Sequence, residues 1–267
     1  MTVQQFRKAG EELNYILMLR YSPIALKLIY SEDEIPEGSI RPSQKGGHLA
    51  MCQAFAKVKR ERKAVTMLKE DHWCVWPLVG YRLVDMDEES TRTMGSFLFF
   101  KDKADGIEFL RNEYPIVKGE QPIGFTLAPL ESADFEPDIV SIYGNPAQLR
   151  HLLLAVRWLT GEQLELHLDS VDSCVHSTIP VLNGKRFNVT VPDPGEYERA
   201  LCGEDEMIFT MRAEEMEALI EGLKFFSSKG IGYRELIMQQ EADHGRPTFY
   251  MEMFKKWGLP VGKLWDK

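Results

Sequence analysis

The spacing of apolar residues in the first part of the chain alternates between a helical and a strand-like pattern. Residues 4–19 place apolar side chains with a period close to 3.6, which predicts an amphipathic helix. Residues 24–30 are a short apolar run bounded by turn residues, which predicts a buried strand. The same reasoning predicts a helix over 49–59, strands over 64–68 and 97–100, and a helix over 103–112 that ends before Pro115.

The second part of the chain repeats this order of elements. Strands are predicted over 138–143, 187–191 and 207–211, and helices over 147–159 and over the segment containing Met216 and Leu223. Cys52 aligns with Cys174 and Asp71 with Asp193 without a gap between them, and 97–100 is matched with 207–211. The pattern indicates either an internal duplication or a shared alternation of helices and strands without common origin.

These elements predict an α/β fold, with α+β as the alternative, built from two related halves with a cleft between them. The first half spans residues 1–130 and the second residues 131–230. The remaining segment, 231–267, has no counterpart in the first half. It is expected to wrap the core or to form a contact in a homo-oligomer.

Composition and charge indicate which partners the protein can have and in which cellular compartment it is found. The chain has 267 residues and a formal net charge of −9, which argues against nucleic acid and anionic membranes as partners. No apolar run is long enough to span a bilayer, and charged residues interrupt the first segment where a signal peptide would need an apolar core. Four cysteines are too few for a disulfide scaffold. We therefore expect a cytoplasmic protein.

Two cysteines are placed where a helix begins. Cys52 follows a Gly-Gly pair, and Cys174 follows Asp172 and Ser173, which form a plausible N-cap. The helix dipole favours the thiolate at such a position and lowers the thiol pKa, although Asp172 opposes this effect at Cys174. Such a sulfur can attack an electrophile or bind a metal. The alternative is that each cysteine is a small buried hydrophobe.

His72 and Cys74 leave a predicted strand with their side chains on one side, if the segment stays extended. They could chelate one ion or form a base and thiol pair. Together with Cys52 and Cys174 they could hold a transition metal or an iron–sulfur cluster, provided that the fold brings them together. Cys202 lies in an acidic turn and is expected to be inert.

Other motifs are weak or absent. The chain has no dinucleotide-binding glycine motif, phosphate loop, nucleophile elbow or zincin motif. Residues 57–63 contain five cations and one acid, which favours a solvated helix C-terminus over a site for an anion.

Several segments together resemble a known family. They are Ser22–Leu28, the turn Ile35–Gly38, Met51–Ala54, Thr66–Cys74, Asn145-Pro146, Ser173-Cys174 and Glu204–Met207. The combination is similar to the domain-of-unknown-function family DUF169, the ArCR type, over most of residues 15–225. The resemblance implies no settled activity.

The leading hypothesis is a protein that binds a small molecule in the cleft between its halves. In one version Cys52 attacks an electrophilic carbon, His72 moves the proton and Cys174 takes part. In the other, Cys52, His72, Cys74 and Cys174 bind iron or an iron–sulfur centre. The rival hypothesis is a non-catalytic ligand-binding or interaction module whose cysteines only pack.

Overall fold

A computed structural model describes residues 1–164, 166, 168, 171–233 and 248–259. It divides into a unit of residues 1–233 and a smaller unit of residues 234–267. The described part of the smaller unit contains a helix, Thr248–Lys256. That segment 231–267 wraps the core or forms an oligomer contact stays a prediction. Among the described residues, no helix is both long enough and apolar enough to cross a membrane.

The larger unit is an α/β protein in which helices are interspersed among the strands along the chain. Its strands are β1 (Ile24–Ile29), β2 (Val65–Leu68), β3 (Gly124–Pro129), β4 (Ile139–Gly144), β5 (Phe187–Thr190) and β6 (Met207–Arg212). Its helices are α1 (Val3–Leu17), α2 (Met51–Glu61), α3 (Val75–Gly80), α4 (Glu88–Gly95), α5 (Lys103–Asn112), α6 (Pro146–Thr160), α7 (Ser173–Leu182), α8 (Pro194–Ala200) and α9 (Met216–Ser228). The helix of the smaller unit is α10.

The strand order of the sheet is symmetric about its centre. The order is β2-β3-β1-β4-β6-β5, and every neighbouring pair is antiparallel. Each half of the chain contributes three strands, and the halves meet where β1 pairs with β4, with Ile24 opposite Ser141. An internal duplication would produce this order, and the duplication itself stays a prediction.

Helices cover both faces of the sheet because successive strand residues point to opposite sides. Leu26 packs on the face covered by α2, α3, α5 and α7. Ala25 packs on the face covered by α1, α6 and α9. The ends of α2 and α7 that carry Cys52 and Cys174 therefore belong to the same face.

The strand predicted over residues 97–100 is wrong. Phe97 and Phe99 are largely exposed in the turn that follows α4, and only Leu98 of this run is buried. The third strand of the first half is β3, so β3 is the topological counterpart of β6. The apolar pattern missed β3 because it begins with Gly124 and ends with Pro129, two residue types that are depleted in strands.

Helix α7 continues past Pro180, a residue type that usually ends a helix. Proline lacks the N–H that would bond to the carbonyl four residues earlier. The side-chain amide of Asn188 instead donates to the His176 carbonyl at 2.8 Å. This replacement bond satisfies the carbonyl and lets the helix run on to Leu182.

Candidate functional site

Three cysteines from separate segments lie near one another, and we call Cys52, Cys74 and Cys174 the thiol cluster. Cys52 lies in the first turn of α2, Cys174 in the first turn of α7, and Cys74 directly before α3. A negative charge on Cys52 or on Cys74 would raise the pKa of Cys174, so the three thiols are within electrostatic range, and Cys52 and Cys74 pack in one apolar cluster. Cys52 and Cys174 are buried and Cys74 is partly buried. The cluster combines residues from both halves of the chain.

Arg199 of α8 lies against the thiol cluster and was not among the sequence candidates. Its guanidinium is close enough to Cys52 to lower the pKa of that thiol, and it is 5.5 Å from the centroid of the Trp73 ring, which is 62% exposed. The Cys52 Sγ donates to the Gly195 carbonyl at 3.9 Å. Arg199 thus lies between Cys52 and an exposed aromatic side chain.

Gly195 provides the space for this arginine. A Cβ atom added at Gly195 would lie 2.0 Å from the Arg199 Nη2 atom. The same Cβ would lie 2.9 Å from the Asp193 Oδ1 atom. Because both atoms end side chains, a larger residue would displace the guanidinium and shift this carboxylate rather than the backbone.

Gly195→Ala is therefore expected to move Arg199 away from Cys52 and to leave the fold intact. Alkylation of Cys52 by N-ethylmaleimide, followed by mass mapping, should slow by about threefold or more, because the effect by which Arg199 lowers the pKa of Cys52 is lost. Gly47→Ala is the control, since an added Cβ there meets nothing within 4 Å. Equal rates in wild type and Gly195→Ala would contradict the contact between Arg199 and Cys52.

Burial, not the helix dipole, dominates the pKa values of these thiols. Burial raises the pKa of Cys52 to about 12, with a further contribution from the Glu196 charge and a partial opposing effect of Arg199. Burial also raises the pKa of Cys74 and Cys174. The lowering expected from the helix N-termini is outweighed because a thiolate loses its hydration in the interior. The resting thiols are protonated at neutral pH.

The environment of Cys202 raises the pKa of its thiol, as expected from the sequence. Burial has the largest effect, and the hydrogen bond to Glu206 adds to it. The Cys202 Sγ donates to a Glu206 carboxylate oxygen at 2.9 Å.

His72 is packed in the core and does not hydrogen-bond to a cysteine. Its ring centroid lies 5.6 Å from that of Phe125, and burial lowers its pKa to about 4. Neither ring nitrogen has a hydrogen-bond partner among the described residues. The base and thiol pair with Cys74 is thus not formed here, and the role of His72 as a base or ligand stays a prediction.

The metal hypothesis has no preformed site to support it. Within the described ranges, no group of three or more His, Cys, Asp or Glu side chains is disposed to hold a metal ion. Metal binding by Cys52, His72, Cys74 and Cys174 would require side chains to move, and it also stays a prediction.

Asp193 joins the two helices that carry Cys174 and Arg199. One of its carboxylate oxygens accepts from the Ser173 backbone N–H at 2.7 Å and from the Ser173 hydroxyl at 3.0 Å. The other accepts from the Glu196 N–H at 2.9 Å, which caps α8. Asp172, the expected cap of α7, makes no side-chain capping bond. The sequence Asp193-Pro194, typical of a helix start, could have revealed the α8 cap.

A buried charged group lies beside the cluster. The Lys59 Nζ atom is 3.1 Å from a Glu206 oxygen and 3.6 Å from the centroid of the Tyr143 ring. The Tyr143 hydroxyl donates to Glu196 at 2.9 Å. Burial raises the pKa of Glu196 to about 7, and the charge of Lys59 opposes this rise. Lys59 is only 3% exposed, so the prediction of a solvated helix end is wrong for this residue.

Fold and site together define an α/β protein with two topologically matched halves and a buried cysteine cluster between them. The chain belongs to the family DUF169, described as uncharacterised ArCR, whose model matches residues 12–222. It is 24% identical over 228 residues to an uncharacterised protein of Methanocaldococcus jannaschii, covering 85% of this chain and 97% of that protein. No solved structure matches the chain. The resemblance found in the sequence is thereby confirmed.

Proposed function

We propose that the protein binds a small, soft electrophilic ligand through the thiol cluster. The observation that carries this proposal is the approach of three thiols from separate segments of both halves, with Arg199 close enough to Cys52 to lower the pKa of its thiol. Sulfur is a soft ligand and nucleophile, so the two ligand classes that fit are a thiophilic metal ion and an electrophilic carbon compound.

The protons must leave when such a ligand binds, because burial keeps the resting thiols neutral. With a metal ion, each S–H bond breaks, an S–metal bond forms and a proton is released to water. With an activated double bond, an S–C bond forms and the thiol proton passes to the neighbouring carbon. In both cases Arg199 can stabilise negative charge on the Cys52 sulfur as the proton leaves.

We assign this function to the cytoplasm, with a small molecule or a metal ion as the partner. All four cysteines are free thiols, and a reducing compartment keeps thiols in this form. The acidic net charge of −9 supports a small ligand over nucleic acid or an anionic membrane. A homo-oligomer remains part of the proposal.

Binding of a thiophilic metal ion is tested by anaerobic purification with metal analysis and by titration of the apoprotein with Cd²⁺. We expect a thiolate-to-cadmium charge-transfer band that is lost in the triple variant Cys52→Ser, Cys74→Ser, Cys174→Ser. Cys202→Ser is the matched control and should keep the band.

Reaction with an electrophilic carbon compound is tested by N-ethylmaleimide labelling with mass mapping, and Cys202 is the internal comparison. Cys52 and Cys202 are similarly buried, at 5% and 7% exposure. Arg199 favours the Cys52 thiolate, whereas Glu206 disfavours that of Cys202. We expect Cys52 to react about tenfold faster, since one pKa unit changes the thiolate fraction tenfold. If no Cd²⁺ band forms and Cys52 reacts no faster than Cys202, the cysteines only pack and the proposal is wrong.

A further inference from the structure

A cavity of about 620 Å³ lies between the loop that precedes α2 and the C-terminal part of α2 with the residues that follow it. Lys45, His48, Lys57 and Lys63 line it together with the apolar side chains of Ile40 and Leu49. We call it the lysine pocket. None of its described lining residues is acidic, and none is a cysteine. In a chain of net charge −9, this is a locally cationic hollow.

Two of these lysines are held by a carboxylate that lies outside the lining. The Glu61 carboxylate accepts from the Lys57 Nζ atom at 3.1 Å and from the Lys63 Nζ atom at 3.3 Å. Hydrogen bonds from both lysines hold the pKa of Glu61 below its usual value. Lysine has a flexible four-carbon stem, so these ammonium groups can exchange Glu61 for another anion without a change in the backbone.

We propose that the lysine pocket binds a small organic anion with an apolar body. The ammonium groups of Lys45, Lys57 and Lys63 bind the anionic head, and the walls formed by Ile40 and Leu49 contact the body. This site is separate from the thiol cluster and does not depend on the function proposed for it.

Calorimetry with 1-naphthyl phosphate tests the proposal, with 1-naphthol and inorganic phosphate as probes that each carry one half of the ligand. We expect 1-naphthyl phosphate to bind about tenfold more tightly than either, because head and body contribute together. A similar affinity for 1-naphthol would show that charge is not recognised, and a similar affinity for inorganic phosphate would show that the apolar walls contribute nothing. Either result would overturn the proposal.

Two variants should change the affinity in opposite directions. Lys57→Gln with Lys63→Gln should weaken binding of 1-naphthyl phosphate about tenfold, since two exposed charge contacts to the phosphate are lost. Glu61→Gln frees both lysines and should strengthen binding about threefold. Loss of folding would weaken binding in both, so the opposite signs exclude it as the cause.

The matched control is Lys101→Gln with Lys103→Gln, which removes the same charge from exposed positions outside the pocket. This control should bind 1-naphthyl phosphate as wild type does. Equal weakening in the control would show a general charge effect, and an unchanged affinity in the Lys57 and Lys63 variant would show that the pocket is not used; both results contradict the proposal.

Discussion

Replacing Lys59 with methionine should lower the free energy of unfolding by about 3–5 kcal/mol at neutral pH, because it leaves a buried carboxylate without its cation. The side chains of Lys59 and Glu206 are 1% and 6% exposed, so water cannot replace the missing ammonium. Lys59 also acts on a second buried carboxyl, that of Glu196. Urea unfolding measures the loss.

The loss at Lys59→Met should depend on pH. In wild type the bonds to Lys59, Cys202 and Gly203 outweigh burial and hold the pKa of Glu206 below its usual value. Without Lys59, burial should raise the pKa of Glu206 above the value of about 4.3 that it has in the unfolded chain. The difference between variant and wild type is then fully present above the raised pKa of Glu206 in the variant, and it is lost only as the pH falls through the lowered pKa of Glu206 in wild type. The gap between variant and wild type should therefore be smaller at acidic than at neutral pH.

Lys57→Met is the control for this prediction. Lys57 lies in the same helix and pairs with Glu61, but both side chains reach solvent. Its loss should cost less than about 1 kcal/mol and depend little on burial. If Lys59→Met costs no more than Lys57→Met, the buried pair is not the stabilising interaction that its geometry indicates.

Asp193→Ala should lower the free energy of unfolding by about 2–4 kcal/mol, because two helix ends lose their acceptor at once. Loss of the α8 cap accounts for about 1 kcal/mol. The Ser173 N–H, in a residue that is fully buried, would lose its partner at a further cost of about 1–3 kcal/mol. Urea unfolding measures this loss, and faster labelling of Cys174 should accompany it as α7 loosens.

Asp87→Ala is the matched control, since Asp87 caps only α4, at an exposed position. Its cost should be that of a single helix cap. Asp193→Asn retains one acceptor oxygen, so its loss of unfolding free energy should lie between those of Asp87→Ala and Asp193→Ala. A loss at Asp193→Ala no greater than that at Asp87→Ala would show that the link between α7 and α8 contributes little.

Local patterns in the sequence determined many of the elements. The helix predicted over 103–112 coincides with α5. The helix predicted over 147–159 is α6, which begins one residue earlier at Pro146 and ends at Thr160, before Gly161 with its left-handed φ of 71°. Periodicity and helix capping depend on neighbours within a few residues, so they can be read without the fold. Membership of the family and the α/β class followed from the same local signals.

Contacts between distant residues were decided only by the tertiary structure. The true third strand, β3, is specified by its pairing with β1 and β2 rather than by its own apolar content. Arg199 belongs to the second half of the chain but approaches Cys52 of the first half. Burial raises the pKa of Cys52, whereas its position at a helix N-terminus alone predicts a lowered pKa. In the sequence Lys59 resembles any lysine at a helix end, and only the fold places it against Glu206 and Tyr143. Burial and long-range electrostatics depend on which surfaces meet, and that information is not contained in any short stretch of sequence.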